Sequence, residues 1–119
     1  MARWSDLMKL SHFEAYGFFL KGKPGCYEIG YLRAGEFSPK YIGRAGNLWT
    51  RIKTYMDPAR CHNPHIGIKL CAERHTLWFR VIRTERYHGL EARHQARHGV
   101  GDEGIYEWNR RIEWEYLHH

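Results

Sequence analysis

The chain has 119 residues, which favours one domain with one modest core and leaves no room for a separate recognition domain. It carries 19 Lys and Arg against 13 Asp and Glu, and nine histidines gain further positive charge below about pH 6.5. This charge balance favours a polyanionic partner, nucleic acid first. No membrane partner is expected, because no apolar run approaches ~18 residues and no basic amphipathic helix has a clean apolar face.

The cysteines indicate a reducing compartment. Cys26, Cys61 and Cys71 are odd in number and do not form a disulfide framework. The first twenty residues resemble neither a signal peptide nor a transit peptide, so the expected location is the cytoplasm or nucleoid. Aromatic residues make up 15 % of the chain, which indicates a folded core rather than a disordered basic tail.

Residues 1–20 are predicted to form a helix, because apolar side chains recur there at steps of three or four. Ser5 and Ser11 are suitable N-caps for it. A break rich in lysine and glycine follows. Two β-prone segments, 26–32 and 40–45, are joined by a turn-rich connection, which predicts a β-hairpin with a longer loop.

The middle of the chain predicts a short helix after the second strand. Asn47 is its expected N-cap, and Leu48, Ile52 and Tyr55 recur at helical spacing up to about residue 56.

The second half of the chain predicts one more strand among helices. Residues 66–75 weakly favour a helix, residues 76–84 are the most strand-like run, and Thr84 is the expected cap of a basic helix to residue 98. A last helix is predicted from apolar residues at helical spacing: Ile105, Trp108 and Ile112. The order predicts an α+β fold, a small three-stranded, mainly antiparallel sheet flanked by helices.

Two tyrosines occupy comparable places in the first two strands. Tyr27 follows Gly25-Cys26, and Tyr41 precedes Ile42-Gly43. Paired in a hairpin, they are expected to point to the same face and to bring two phenols together. The alternative is that both are ordinary strand residues packed on a core.

Arginines cluster around the start of the Asn47 helix. Arg51 and Tyr55 are four apart and share a helix face, while Arg44 lies just before the helix, where free N–H groups favour an anion. The planar guanidinium donates two hydrogen bonds to a phosphate at once. Taken singly, each arginine is as well explained by simple solvation.

Glu91 is a carboxylate in a basic helix. None of the residues three or four positions away is Lys or Arg, which weakens the reading of Glu91 as part of an ordinary helical ion pair. A lone carboxylate beside a phosphate suits Mg²⁺, which uses one or two protein carboxylates and fills its other positions with water and phosphate oxygen.

"GCY" followed by "KYIGRAGNLWTRIKTY" resembles the GIY-YIG nuclease family. In that family the second motif is followed by a helix with an arginine about ten residues after the tyrosine, and Tyr41 to Arg51 is ten. Tyr55 one turn later, Glu91 in a later helix and Asn109 in "EWNRR" match the rest of the family site. The resemblance covers about 24–109 as the family core of a single domain, with 1–23 as an N-terminal helical extension.

Cys26 departs from the family's middle isoleucine. Its side chain is expected to point away from the tyrosine face, where a small buried hydrophobe is tolerated.

The resemblance implies phosphodiester hydrolysis with one divalent metal, Mg²⁺ or Mn²⁺, on Glu91. Arg51 would stabilise charge on the phosphoryl oxygens. Tyr27 would help to deprotonate the attacking water, with Tyr41 and Tyr55 orienting it. A base role needs a phenol pKa below its usual value near 10, which a nearby cation would provide.

Two glycines are expected to support this site. Gly43 and Gly46 would let the backbone turn closely beneath the phosphate, with the helix N-terminus facing it.

DNA, double-stranded or branched, is the implied partner, and the expected source is bacterial or phage-like. The candidate nucleic-acid contacts are Lys40, Arg44, Lys53, His62, His65, Arg93, His94 and Arg97. A homodimer would supply two active sites for cutting both strands, and a monomer would act as a nickase. The alternative function is a non-cleaving DNA-binding subunit of a repair, recombination or restriction assembly.

A zinc site is the alternative interpretation of residues 61–75. Cys61, His65, Cys71 and His75 are suitable ligand types, but their spacing is not that of a usual zinc motif.

Overall fold

The computed structural model describes residues 3–57, 59, 64–98, 106, 108 and 109. The chain is α+β, as the sequence predicts. In chain order the elements are β1 (Met8–Lys9), a 3-10 helix (Leu10–Tyr16), α1 (Gly17–Leu20), β2 (Gly25–Arg33), β3 (Glu36–Ala45), α2 (Leu48–Tyr55), α3 (Pro64–Ala72), β4 (Leu77–Arg83) and α4 (Tyr87–His98).

Within the described residues the sheet has four strands in the order β1-β4-β2-β3, and every neighbouring pair is antiparallel. The three predicted strands correspond to β2, β3 and β4. The predicted strand count was wrong because it did not include β1, a strand of only two residues. Met8 and Lys9 pair with Phe79 and Trp78. This pairing covers part of the outer edge of β4, because an exposed strand edge has unpaired backbone groups.

The continuous N-terminal helix predicted over 1–20 was also wrong. After β1 the chain forms a 3-10 helix and then a single α-helical turn, with a kink at His12. Leu10, Phe13 and Leu20 are buried, so the apolar spacing did identify the residues that enter the core. The spacing alone does not distinguish short helical turns from one long helix.

The hairpin between β2 and β3 is tighter than predicted. The connection is two residues, Ala34 and Gly35, with φ values of 52° and 80°. Positive φ at both positions is typical of the two-residue turns that match the twist of antiparallel strands. The longer loop was predicted because residues 33–39 are rich in turn-forming residues. Most of them belong to β3, where Pro39 is tolerated because β3 is at the sheet edge.

A register shift in this hairpin separates Lys40 from the ladder. Ile29 pairs with Tyr41 and Gly30 with Pro39, so Lys40 has no Cα partner on β2. Such a bulge bends an edge strand and changes the direction of the side chains that follow.

The main core lies on the sheet face that carries Tyr27 and Ile29, between the sheet and the 3-10 helix, α2 and α3. Helix α4 packs against β2 and β3. The thiol of Cys26 donates to the carbonyl of Tyr87 in α4 at 3.1 Å, so Cys26 and Tyr27 point to opposite faces. The substitution in the first motif therefore does not alter the tyrosine face.

A buried ion pair crosses the sheet between β2 and β4. Glu28 is almost fully buried, and its Oε1 accepts from Arg80 Nε at 2.7 Å and lies 2.6 Å from the terminal Arg80 nitrogen. The Tyr106 hydroxyl donates to the other carboxylate oxygen. The guanidinium lies over the Trp4 and Phe37 rings at 4.8 Å and 5.0 Å. A paired and hydrogen-bonded carboxylate is the form in which a buried charge is tolerated.

Residues 108 and 109 line the outer edge of β3. The Trp108 N–H donates to the Lys40 carbonyl at 2.8 Å. Tyr106 forms an isolated β-bridge, which does not match the helix predicted there, while Ile105 and Ile112 lie outside the described residues. Among the helices that the structure describes, none is long and apolar enough to cross a bilayer.

Candidate functional site

Helix α2 begins where the sequence predicts. Asn47 Oδ1 accepts from the backbone N–H of Thr50 at 3.4 Å and from that of Gly22 at 3.1 Å. The Leu48 N–H donates to the carbonyl of Lys23 at 2.8 Å. Two N–H groups of the first turn are therefore already paired within the protein, so a phosphate at this helix end would depend on side chains more than the sequence indicated.

Three phenols meet between β2, β3 and α2, and Tyr27, Tyr41 and Tyr55 are together called the tyrosine cluster below. The Tyr27 and Tyr55 hydroxyl oxygens are 2.6 Å apart, and the Tyr55 hydroxyl donates to that of Tyr41 at 3.3 Å. The ring centroids lie 5.9 to 6.3 Å apart, in edge and tilted arrangements typical of aromatic contacts. The predicted same-face placement of Tyr27 and Tyr41 is confirmed.

Gly43 makes room for the cluster. It pairs with Tyr27 in the β2–β3 register, and a Cβ on Gly43 would lie 2.2 Å from the Tyr27 hydroxyl oxygen and 2.3 Å from Cζ. Gly43 lies within β3 and has no positive φ. Its role is therefore to let the Tyr27 phenol lie flat across the neighbouring strand, and not to turn the chain as the sequence had indicated.

Burial raises the pKa of each phenol in the cluster well above its usual value near 10. The Arg51 guanidinium lowers all three pKa values, but its effect is smaller than that of burial. Arg51 is thus a cation that acts on the cluster, in addition to Arg44, Lys40 or a histidine, which the sequence had left as candidates. The phenols are neutral at pH 7 in the protein alone.

Glu91 pairs with an arginine from the sheet instead of from its own helix. Arg44 in β3 donates to Glu91 Oε1 at 2.6 Å, and the carboxylate is nearly buried while Arg44 is one quarter exposed. The pair is 47 positions apart in sequence, so helical spacing gave no sign of it. Arg44 shares the sheet face of Cys26, its partner in the register, opposite to the face of Tyr27.

The Glu91 carboxylate nevertheless has an electrostatic effect on the tyrosine cluster. The Glu91 charge raises the pKa of Tyr27 and of Tyr41, which requires it to lie within electrostatic range of both. The structure therefore brings Glu91, Arg51 and the phenols around the same region of β2 and β3, from two sides of the sheet.

A divalent cation fits this arrangement in one way. No group of three or more metal-ligating side chains occurs among the described residues. Mg²⁺ requires fewer protein ligands, since one carboxylate, water and substrate phosphate suffice. Glu91 would supply that carboxylate, and Arg44 would have to share or release Oε1.

Asn109 is buried against the edge of β3. Its side chain accepts from the Ile42 N–H and donates to the Ile42 carbonyl, both at 2.8 Å. The amide thus acts as the next strand would, and it holds the Tyr-Ile-Gly motif in place from outside. The Asn109 side chain therefore contacts the backbone of the residue that follows Tyr41.

The candidate nucleic-acid contacts that the structure describes lie on several different elements. Lys53 is exposed on α2, and Arg93 and Arg97 are exposed four positions apart on α4. Lys40 is half-buried at the bulge, and Arg44 is engaged by Glu91.

The histidine candidates differ from these cations. The His94 ring packs against Trp4 at 5.5 Å and against His98 at 5.8 Å, and its buried Nδ1 has no hydrogen-bond partner. Burial lowers the pKa of His94, so it is neutral at pH 7. His62 and the side chain of His65 lie outside the described residues, as does Cys61 of the rival zinc reading.

Comparison of the chain with protein-family models, with curated proteins and with solved structures finds no match in any of the three. The resemblance to GIY-YIG nucleases therefore rests on the motif residues themselves.

Proposed function

We propose that the chain is a metal-dependent DNA endonuclease of the GIY-YIG type, which hydrolyses phosphodiester bonds. One observation carries the proposal: the hydroxyls of Tyr27, Tyr55 and Tyr41 form a contiguous buried chain on which the charges of Arg51 and Glu91 both act. Burying several hydroxyls beside opposite charges is costly, and a core would be filled more cheaply by apolar side chains.

The scissile phosphate would bind where Arg51 approaches the tyrosine cluster. Arg51 is half-buried, so its charge is less screened than that of a surface arginine. It would donate to the phosphoryl oxygens as they gain charge, an electrostatic contribution of about 3 kcal/mol.

The phenols would orient the attacking water. Tyr41 is 8 % exposed, whereas Tyr27 and Tyr55 are essentially buried, so Tyr41 is the better contact for water and Tyr27 would support it from behind. Since burial raises these pKa values, a phenol becomes a base only if positive charge is added nearby. Magnesium or manganese, when bound at Glu91, would supply that charge and would stabilise the leaving oxygen.

The test is incubation with supercoiled plasmid and Mg²⁺ or Mn²⁺, with EDTA as the control without metal. Metal-dependent nicking or linearisation is expected from the parent. We expect Glu91→Gln to abolish it while DNA affinity stays near that of the parent, and Glu85→Gln, an exposed acid just before α4, to cut normally. Equal cleavage rates for Glu91→Gln and the parent would refute the role of Glu91.

Arg51→Ala distinguishes catalysis from docking. A large loss of rate with a modest loss of affinity is expected, and the reverse pattern would make Arg51 a docking residue.

A second candidate function is a non-cleaving DNA-binding subunit of a repair, recombination or restriction assembly. The engagement of Glu91 by Arg44 favours it, because that contact opposes metal binding. Salt-sensitive DNA binding without any cleavage would support this function. For the nuclease, the ratio of nicked to linear plasmid would report whether one site or the two sites of a homodimer cut the double-stranded DNA.

A further inference from the structure

Phe18 projects from the one-turn helix α1 with 84 % of its surface exposed. The other large hydrophobic side chain exposed among the described residues is Ile68, at 60 % on α3. Lys21 and Lys23 follow Phe18 closely and are both exposed, with no acidic residue between them and Phe18. Phe18, Lys21 and Lys23 are together called the Phe-Lys surface.

The surface is rigidly supported. Leu20 is fully buried beneath it, and the Lys21 N–H donates to the Gly17 carbonyl at 2.9 Å. Lys21 Nζ also lies 4.7 Å above the Trp49 ring. The backbone that carries Phe18 is thus fixed by packed neighbours, which reduces the backbone entropy that binding would cost.

The surface is tied to the start of α2. The Gly22 N–H donates to Asn47 Oδ1, and the Lys23 carbonyl accepts from the Leu48 N–H. Arg51 follows Asn47 by one turn of the same helix, and its N–H donates to the Asn47 carbonyl at 3.1 Å. The Phe-Lys surface is therefore joined to the first turn of the helix that carries Arg51.

An exposed aromatic ring beside two lysines matches one kind of nucleic acid best. Intact duplex DNA presents phosphates and groove edges on its outside, so the face of a base cannot reach Phe18. An unpaired nucleotide exposes that face, and its flanking phosphates attract lysine. Stacking on an aromatic ring combined with a positive backbone track is how single strands are bound.

We propose that Phe18 stacks on an unpaired base while Lys21 and Lys23 contact the flanking phosphates. This rests on the proposed nuclease function and narrows its substrate to DNA with unpaired nucleotides beside the cleaved bond, such as a flap, fork or bulge.

The test is equilibrium binding, so that it does not depend on cleavage. The non-cleaving Glu91→Gln chain binds two labelled DNAs of equal length, a duplex with a single-stranded flap and a fully paired duplex. Phe18→Ala in that background is expected to weaken flap binding about 5- to 140-fold, which corresponds to one lost stacking contact, and to change duplex binding less than about twofold. Ile68→Ala is the matched control and should change neither affinity.

Two further variants separate stacking from charge. Phe18→Trp should keep the flap preference, whereas Phe18→Leu should lose it. Lys21→Ala with Lys23→Ala should reduce the salt dependence of flap binding, with a slope smaller by about 1.4.

Several results would overturn the inference: equal flap affinity in Phe18→Ala and the parent, an equal loss on flap and duplex, or no DNA binding by the parent. A change of sedimentation with Phe18→Ala would assign the surface to a second copy of the chain instead. Absent metal-dependent cleavage of the flap DNA by the parent, with an intact Phe18-dependent flap preference, would refute the nuclease function alone.

Discussion

Replacing Gly43 with alanine tests the packing on which the tyrosine cluster depends. The new methyl would lie 2.2 to 2.3 Å from two atoms of the Tyr27 phenol, which has to move. Overpacking a core costs about 1 to 3 kcal/mol, and loss of the Tyr27–Tyr55 hydrogen bond about 1 kcal/mol more. We expect Gly43→Ala to lower the free energy of unfolding by about 2 to 4 kcal/mol, or the melting temperature by about 8 to 16 °C.

The assay is thermal and urea unfolding followed by circular dichroism, arranged as a double-mutant cycle. In a Tyr27→Leu background the clashing ring atoms are absent, so adding Gly43→Ala should cost less than about 1 kcal/mol. Gly46→Ala is the matched control, because its Cβ would lie 3.5 Å from the nearest atom, the Tyr87 hydroxyl, an ordinary contact. An unchanged stability of Gly43→Ala, or the same loss in both backgrounds, would refute this account of Gly43.

Three further predictions concern buried polar groups. Glu28→Gln leaves the Arg80 charge without its carboxylate and should lower the free energy of unfolding in urea by about 3 kcal/mol. Lys69→Ala, which removes an exposed ion pair, is the control and should lower it by less than about 1 kcal/mol. Similar losses in the two variants would contradict this expectation. Asn109→Asp keeps the acceptor toward β3 but loses the donor, so a loss of about 1 to 3 kcal/mol is expected, and none would show that the edge contact is dispensable. The folded pKa of each clustered tyrosine lies above its unfolded value, so the contribution of the cluster to stability is complete below about pH 10 and is lost as pH rises beyond it. Between about pH 9 and 11 the free energy of unfolding should therefore fall less steeply with pH in Tyr55→Phe than in the parent. Equal slopes would refute the raised pKa.

The sequence predicted those parts of the fold that depend on local pattern. The strand at 76–84 became β4 because alternating and β-branched residues favour a strand wherever it pairs. Asn47 caps α2 because its side-chain oxygen reaches an N–H only three residues away. The common face of Tyr27 and Tyr41 follows from strand alternation in a hairpin.

The predictions from sequence were wrong for segments whose local structure depends on a partner that is distant in the sequence. Residues 8 and 9 form a strand only because the edge of β4 lies beside them. The hairpin turn is tight because strand pairing continues along β2 to Arg33 and starts in β3 at Glu36, although residues 33–39 are rich in turn-forming residues.

The chemistry of the site divides in the same way. Residue identity, spacing and the resemblance to a family motif together indicated Tyr27, Tyr41, Arg51, Tyr55 and Glu91 as candidates, since a motif carries that information along the chain. Which groups touch was decided by tertiary structure, because the Arg44–Glu91 pair spans 47 positions and the Ile42–Asn109 contact 67. The upward shift of the phenol pKa values was also set by the tertiary structure. Desolvation depends on the neighbours that exclude water, and those neighbours are assembled only on folding.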